Sequence, residues 1–479
     1  MYKRQGKLTE MDTHEVTISW RGDCEYFVIS TIEEAEVPDE PGYFVARRAL
    51  RVFSRDGQLD SASEPVDGME HLLTWKPQGS QIVSVQRTTT NGDENSLDII
   101  FFEKNGLRHY EFDSRLPLDE KINSLCWNSN SEILTVVLSN SIQLWTTKNF
   151  HWYLKQELHS PNIQYAKWHP EKEFTLMYGN DDHINIVDLT FKMTHGPTLK
   201  PFDYGTSLVI DGTTVNITPL SLANVPPPVY FRDFDAPDNV VDAATSLSNE
   251  LYAVITKDDL VLASISCIED MKKGKHPQVS ATLSKFDFAT ELDSLRQVAF
   301  INDTTVGILL DSENLSRIAL IDVQDVTQPS LLNVVEVFDK IILLRTTFDY
   351  NHLAYQTRDG TIVQLDAEGQ LNQITQFPEL VRDFRVQRVH NTTSEDDAQW
   401  GNDSSELVAF GVTSGGKLYA NQTILTSAVT SIEMTEDLLL FTTAQHYLQF
   451  IHLNSTRFKA LPVVEQNVEE ERVRAIERG

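Results

Sequence analysis

Cysteine, positive charge and long apolar runs are all scarce in this chain, and each shortage excludes a class of protein. Its three cysteines, Cys24, Cys126 and Cys267, stand far apart and show no C-x-x-C spacing. They build no disulfide framework, so a reducing compartment is expected. No apolar stretch reaches the ~18 residues that a membrane span needs. The opening MYKRQGKLTEMDTHE carries charge but no apolar core, unlike a secretory signal. Sequons such as Asn391-Thr392-Thr393 are therefore expected to stay unmodified. Lys and Arg number 40 against 70 Asp and Glu, a net charge of −30. Binding a polyanion over a broad surface needs phosphate neutralisation, which this balance opposes, although a local basic patch stays open. No G-x-S-x-G, Walker A, G-x-G-x-x-G or H-E-x-x-H motif occurs, so no catalytic constellation is nominated. No long 3.6-residue periodicity appears before the last ~15 residues.

What the chain does have is a recurring phrase: a short strand-like run ending in Trp, a polar turn, then a β-rich run. It reads Ile18-Ser19-Trp20 before Tyr26-Phe27-Val28-Ile29, and Leu73-Thr74-Trp75 before Gln81-Ile82-Val83-Ser84-Val85. It returns at Leu125-Cys126-Trp127 before Ile133-Leu134-Thr135-Val136-Val137, and at Ala166-Lys167-Trp168 before Phe174-Thr175-Leu176-Met177-Tyr178. Four of the seven Trp residues share this context, at spacings of 55, 52 and 41. Such a unit is close to a WD-type propeller blade of ~40–45 residues stretched by loop insertions. Further alternating runs follow, joined by turns such as Arg55-Asp56-Gly57, Lys104-Asn105-Gly106 and Asp359-Gly360, a hairpin signal. Weaker repeats continue to Tyr447-Leu448-Gln449-Phe450-Ile451.

About ten units result, more than the four to eight blades of one ring. The fold class expected is all-β, with tandem WD-type β-propellers. Residues 1–160 are expected to form about three C-terminal blades of an incomplete first propeller, and residues 161–462 a second of about seven. Residues 463–479 are expected to be a charged linker toward a helical arm. The first group is expected to be an open arc lacking its N-terminal blades, with Met1 an artificial or misplaced start. An arc of this kind carries an exposed edge.

Several local features invite a functional reading, and each has a structural one beside it. Phe150, His151, Trp152 and Tyr153 form an unusually aromatic run that suits a protein-docking patch. Alternation of Phe150, Trp152 and Leu154 equally suits the buried face of an outer strand, and that reading is favoured. Asp181-Asp182-His183 offers metal ligands, but an Asx-rich turn explains it better. His151, His159 and His169 have no zinc-motif spacing. Arg21-Gly22-Asp23 is read as a plain turn rather than an adhesion tripeptide, and Val225-Pro226-Pro227-Pro228-Val229 as a rigid crossover rather than a ligand for a proline-reading module. No catalytic, cofactor or metal residue is assigned.

The stretches between the Trp phrases resemble the largest, scaffold subunit of the Elongator complex. The matching residues include Thr17-Ile18-Ser19-Trp20-Arg21-Gly22-Asp23, Ser63-Glu64-Pro65-Val66, and Phe101-Phe102-Glu103-Lys104-Asn105-Gly106-Leu107-Arg108-His109. They continue with Gln143-Leu144-Trp145-Thr146, His151-Trp152-Tyr153-Leu154-Lys155-Gln156, Val209-Ile210-Asp211-Gly212, Val225-Pro226-Pro227-Pro228 and the final Glu477-Arg478-Gly479. Agreement is weakest at 265–290 and 385–406. The resemblance implies two consecutive propellers followed by a helical-repeat arm that carries dimerisation. It implies a part in modifying the wobble uridine of certain tRNAs, with the chemistry done by a separate radical-SAM, acetyl-CoA-using subunit. The expected partners are that catalytic subunit and the neighbouring propeller subunit, with tRNA reached only weakly or indirectly and no membrane. Homodimerisation would reside in the absent C-terminal region. The chain is thus expected to be a non-enzymatic scaffold without cofactor, cytoplasmic with a nuclear pool. The competing reading is a peptide-binding propeller adaptor of another complex.

Overall fold

Apolar residues are buried on both faces of the inner strands of most sheets, which is what stacks one sheet on the next. In Ser96–Phe102, Leu97, Ile99 and Phe101 pack toward Trp127, Leu134 and Trp145, while Ile100 and Phe102 pack toward Val28, Leu50 and Val52. The period-two alternation of a strand divides these residues between its two neighbours. Each buried Leu or Ile contributes about 1.5–3 kcal/mol, so the inter-sheet cores carry most of the stability.

The computed structural model describes residues 7–36, 42–88, 95–147, 151–225, 229–312, 315–337, 339–390, 405–453 and 466–467. It contains ten antiparallel sheets, nine of four strands and one of three, each a sequential meander. Ten sheets agree in number with the ten repeats read from the sequence. Tight turns join the strands. At Gly106 the backbone has φ +85°, and a Cβ there would lie 2.4 Å from the Ala62 carbonyl oxygen. Only glycine meets both conditions.

The chain divides into two compact units, 1–190 and 191–479. The division falls later than the expected boundary at 160/161, because the three-stranded sheet Tyr165–Trp168, Thr175–Gly179 and Ile184–Asp188 belongs with the first unit. Its Ile163, Ala166, Leu176 and Tyr178 share a core with Ile133, Val137, Ile142 and Leu144 of the preceding sheet. The Trp168 indole N–H also donates to Thr135 Oγ1 at 2.8 Å.

The second unit holds six four-stranded sheets. Their first strands, from Thr194–His195 to Val429–Met434, follow one another, and the last returns to the first. His195 Nε2 lies 2.8 Å from Glu433 Oε2, and Thr198 Oγ1 donates to the Met434 carbonyl. These contacts join the last sheet to the first.

Candidate functional site

The aromatic run 150–153 is largely core. Trp152 and Tyr153 are buried at the start of the outer strand Tyr153–His159. The Trp152 ring lies 5.2 Å from that of Phe101, 4.9 Å from Phe112 and 6.0 Å from Trp127. His151 is the exposed member, edge-on to Tyr153 at 4.7 Å. Phe150 lies outside the described residues.

Other sequence candidates take structural roles. Asn180 Oδ1 accepts the backbone N–H groups of Asp182 and His183, so Asp181-Asp182-His183 is an Asx turn. His169 Nδ1 accepts the N–H groups of Glu171 and Lys172. Arg21 binds Asp23 through Nε at 2.8 Å and Nη2 at 2.5 Å, which folds the Arg-Gly-Asp tripeptide onto itself. Burial pushes the Cys126 thiol up to about 12, so it is not a nucleophile at neutral pH. No cluster of three or more His, Cys, Asp or Glu suited to a metal occurs among the described residues. The prolines at 226–228 lie outside those residues.

The Trp phrase has two fates. Trp75 and Trp127 are buried, but Trp20 is 48 % exposed and Ile18 56 %. Both Ile18 and Trp20 alternate outward on Thr17–Trp20, and among the described residues that side stays exposed. Trp20 packs instead on Phe27, 4.8 Å between ring centroids. The edge strand Ile184–Asp188 likewise exposes Ile184 and Ile186.

Buried charge was not read from the sequence. In the first unit Arg48 and Asp12 form a bidentate pair at 2.9 and 2.6 Å, with side chains 0 % and 1 % exposed. Arg48 Nη1 also donates to the Glu15 carbonyl and to Ser30 Oγ. Arg87 and Glu70 pair at 2.7 Å in the neighbouring sheet. In the second unit, charged side chains on or just before the first strands of several sheets pair with one another. Lys192 meets Asp242 at 2.5 Å, and Asp383 receives Arg345 at 2.8 Å and Arg385 at 2.9 Å. Arg385 continues to Glu433, which meets His195. Burial alone raises the carboxyls of Asp383 and Glu433, but the adjoining cations outweigh it and hold both below their ordinary range. Burial pushes the Lys192 ammonium down, against the pull of Asp242. Arg345, Asp383, Arg385, Glu433 and His195 form one continuous chain of contacts, and Lys192–Asp242 is a separate pair. The available signal was charge inside strand patterns, as in Val381-Arg382-Asp383-Phe384-Arg385-Val386.

Two units of stacked meanders with inter-sheet cores define a tandem β-propeller protein. The family model "ELP1 N-terminal second beta-propeller" matches residues 209–479, and "ELP1 first N-terminal beta-propeller" matches residues 2–171. The chain belongs to the Elongator complex protein 1 family. It is 67 % identical over 474 residues to Elongator complex protein 1 of Saccharomyces cerevisiae, covering 99 % of this chain and 35 % of that protein. Against the Schizosaccharomyces pombe protein of the same name, identity is 34 % over 483 residues, covering 99 % and 36 %. The Mus musculus protein is 27 % identical over 532 residues, covering 98 % and 38 %. The chain thus spans about a third of the length of the curated relatives it matches.

Proposed function

We propose that this chain is the propeller region of a non-catalytic Elongator scaffold, docking the catalytic radical-SAM, acetyl-CoA-using subunit and the neighbouring propeller subunit. In that role it supports wobble-uridine tRNA modification without performing it. The observation that carries the reading is family membership across 99 % of the chain. The architecture suits such work. Cores and buried ion pairs fix the sheets, while the connecting loops are free to select partners. A net charge of −30 favours contact with proteins over direct contact with tRNA.

The test is a pull-down of this chain against separately expressed Elongator subunits. Capture of the catalytic subunit or the other propeller subunit is expected. Binding to neither, or turnover of acetyl-CoA or S-adenosylmethionine by the isolated chain, overturns the proposal. A single saturable peptide site with no subunit binding would favour the adaptor reading instead.

A further inference from the structure

The first unit contains a cavity of about 370 Å³ lined by Lys76, Gly79, Ser80, Gln81, Glu103 and His109. That volume is in the range of small-ligand sites, ~300–1,000 Å³. One wall is the turn 76–81. It is closed by the Lys76 N–H donating to the Gln81 carbonyl at 2.9 Å and is pinned to the next sheet by the Gln78 N–H donating to Ser131 Oγ at 2.8 Å. The other wall is the turn at 103–107, closed by the Gly106 N–H on the Glu103 carbonyl at 2.9 Å. Both walls are therefore fixed by backbone bonds, and the cavity is a property of the fold.

The polar groups in it are unevenly satisfied. Lys76 is half-buried, with Nζ 5.2 Å from the centroid of the Trp127 ring. Among the described residues no carboxylate pairs with it, and burial, with nothing to offset it, pushes its ammonium down. The indole N–H of that same buried Trp127 has no acceptor. Glu103, in contrast, is engaged. Its Oε1 lies 3.6 Å from His109 Nδ1, and its Oε2 accepts Asn105 Nδ2 at 3.3 Å. Ser80 and Gln81 add donors on the Lys76 side. A half-buried cation resting on an aromatic face is stabilised by the ring, and in this open cleft an anion can reach it from solvent.

We infer that this cavity is a carboxylate-binding site, with Lys76 as the charge partner and Ser80 and Gln81 as accessory donors. The Glu103 carboxylate on the facing wall selects for a single negative charge, because a doubly charged phosphate meets twice the repulsion. The carboxylate is supplied either by a free organic acid or by an acidic side chain of a partner polypeptide.

The test uses the whole chain with its lysines reductively ¹³C-dimethylated, the Lys76 signal being assigned by its loss in Lys76→Arg. Acetate and an acetylated Glu-containing peptide are titrated separately, with sodium chloride and inorganic phosphate as controls. A saturable shift of the Lys76 signal with a rise in its pKa is expected for a carboxylate, and a weaker response to phosphate. Calorimetric titration of Lys76→Met should show affinity at least about tenfold weaker, as for loss of one charged hydrogen bond. Glu103→Gln should bind severalfold tighter. Response to the peptide but not to acetate assigns the source to a partner, and the reverse assigns it to a free acid. A Lys76 signal that follows only ionic strength, or Lys76→Met binding as well as the parent, overturns the inference. Subunit capture in the pull-down reports on the scaffold reading separately.

Discussion

Replacing Arg48 with Met strands the Asp12 carboxylate in a dry site. Arg48 supplies two of its hydrogen bonds, and both side chains are essentially inaccessible. Breaking one half of such a pair costs about 3–5 kcal/mol, because the remaining charge is buried and unpaired. For a unit of 190 residues, that lowers the midpoint of thermal unfolding by about 6–20 °C. Six of the seven Trp residues lie in the first unit, so intrinsic fluorescence follows its unfolding. The double variant Asp12→Leu/Arg48→Met should recover most of the loss, to within about 1–2 kcal/mol of the parent. The residue of the cost is the His14 N–H, Ser30 hydroxyl and Glu15 carbonyl left without partners. Acidity gives a second readout. Burial raises the Asp12 carboxyl, but Arg48 and the His14 N–H outweigh it, so its folded pKa lies below the ordinary 3.8. The pair's stabilisation is therefore complete above that value and is lost as pH falls through the folded pKa. In Arg48→Met the cation is gone and burial dominates, so this arm should reverse and acidification should restore part of the stability. A single-variant cost under about 1 kcal/mol, or a double variant as unstable as the single, refutes the assignment of a buried, mutually dependent pair.

Trp152→Ala should destabilise the first unit by about 3–5 kcal/mol in urea unfolding, whereas His151→Ala should stay within about 0.5 kcal/mol of the parent. Gly68→Ala should cost about 1–3 kcal/mol by the same assay, since φ is +73° and the new Cβ would meet the Arg87 carbonyl oxygen at 2.0 Å. In the second unit, Asp383 and Glu433 are held below their ordinary values of 3.8 and 4.5. Their contribution is whole above those values and lost as pH falls through the depressed ones, so Glu433→Gln should flatten the acid arm of calorimetric unfolding and cost about 1–3 kcal/mol at neutral pH.

The repeats were legible because a strand writes its period into the sequence. Each of the four Trp phrases ends a first strand: Thr17–Trp20, Met69–Trp75, Ser124–Trp127 and Tyr165–Trp168. The grouping of repeats into units was less legible. The strand Tyr165–Trp168 looks locally like the opening of any other sheet, and only its shared core with Ile133 and Leu144 assigns it to the first unit. Trp20 carries the same local signature as Trp75, yet one is half-exposed and the other buried, because burial depends on whether another sheet lies alongside. The ion pairs were missed for a related reason. Asp12 and Arg48 are 36 residues apart, and the His195–Arg385 contact joins residues 190 apart, distances that no local pattern spans. Of the aromatic run, Trp152 and Leu154 are buried as alternation suggested, but so is Tyr153, which alternation alone would have turned outward.

Crosslinking mass spectrometry of the assembled Elongator complex, with this chain in its full-length context, tests the scaffold account most directly. The account predicts lysine crosslinks from loops of this chain, such as Lys257 and Lys272, to the catalytic subunit or the other propeller subunit. A complete assembly in which residues 7–453 crosslink to neither subunit would contradict it.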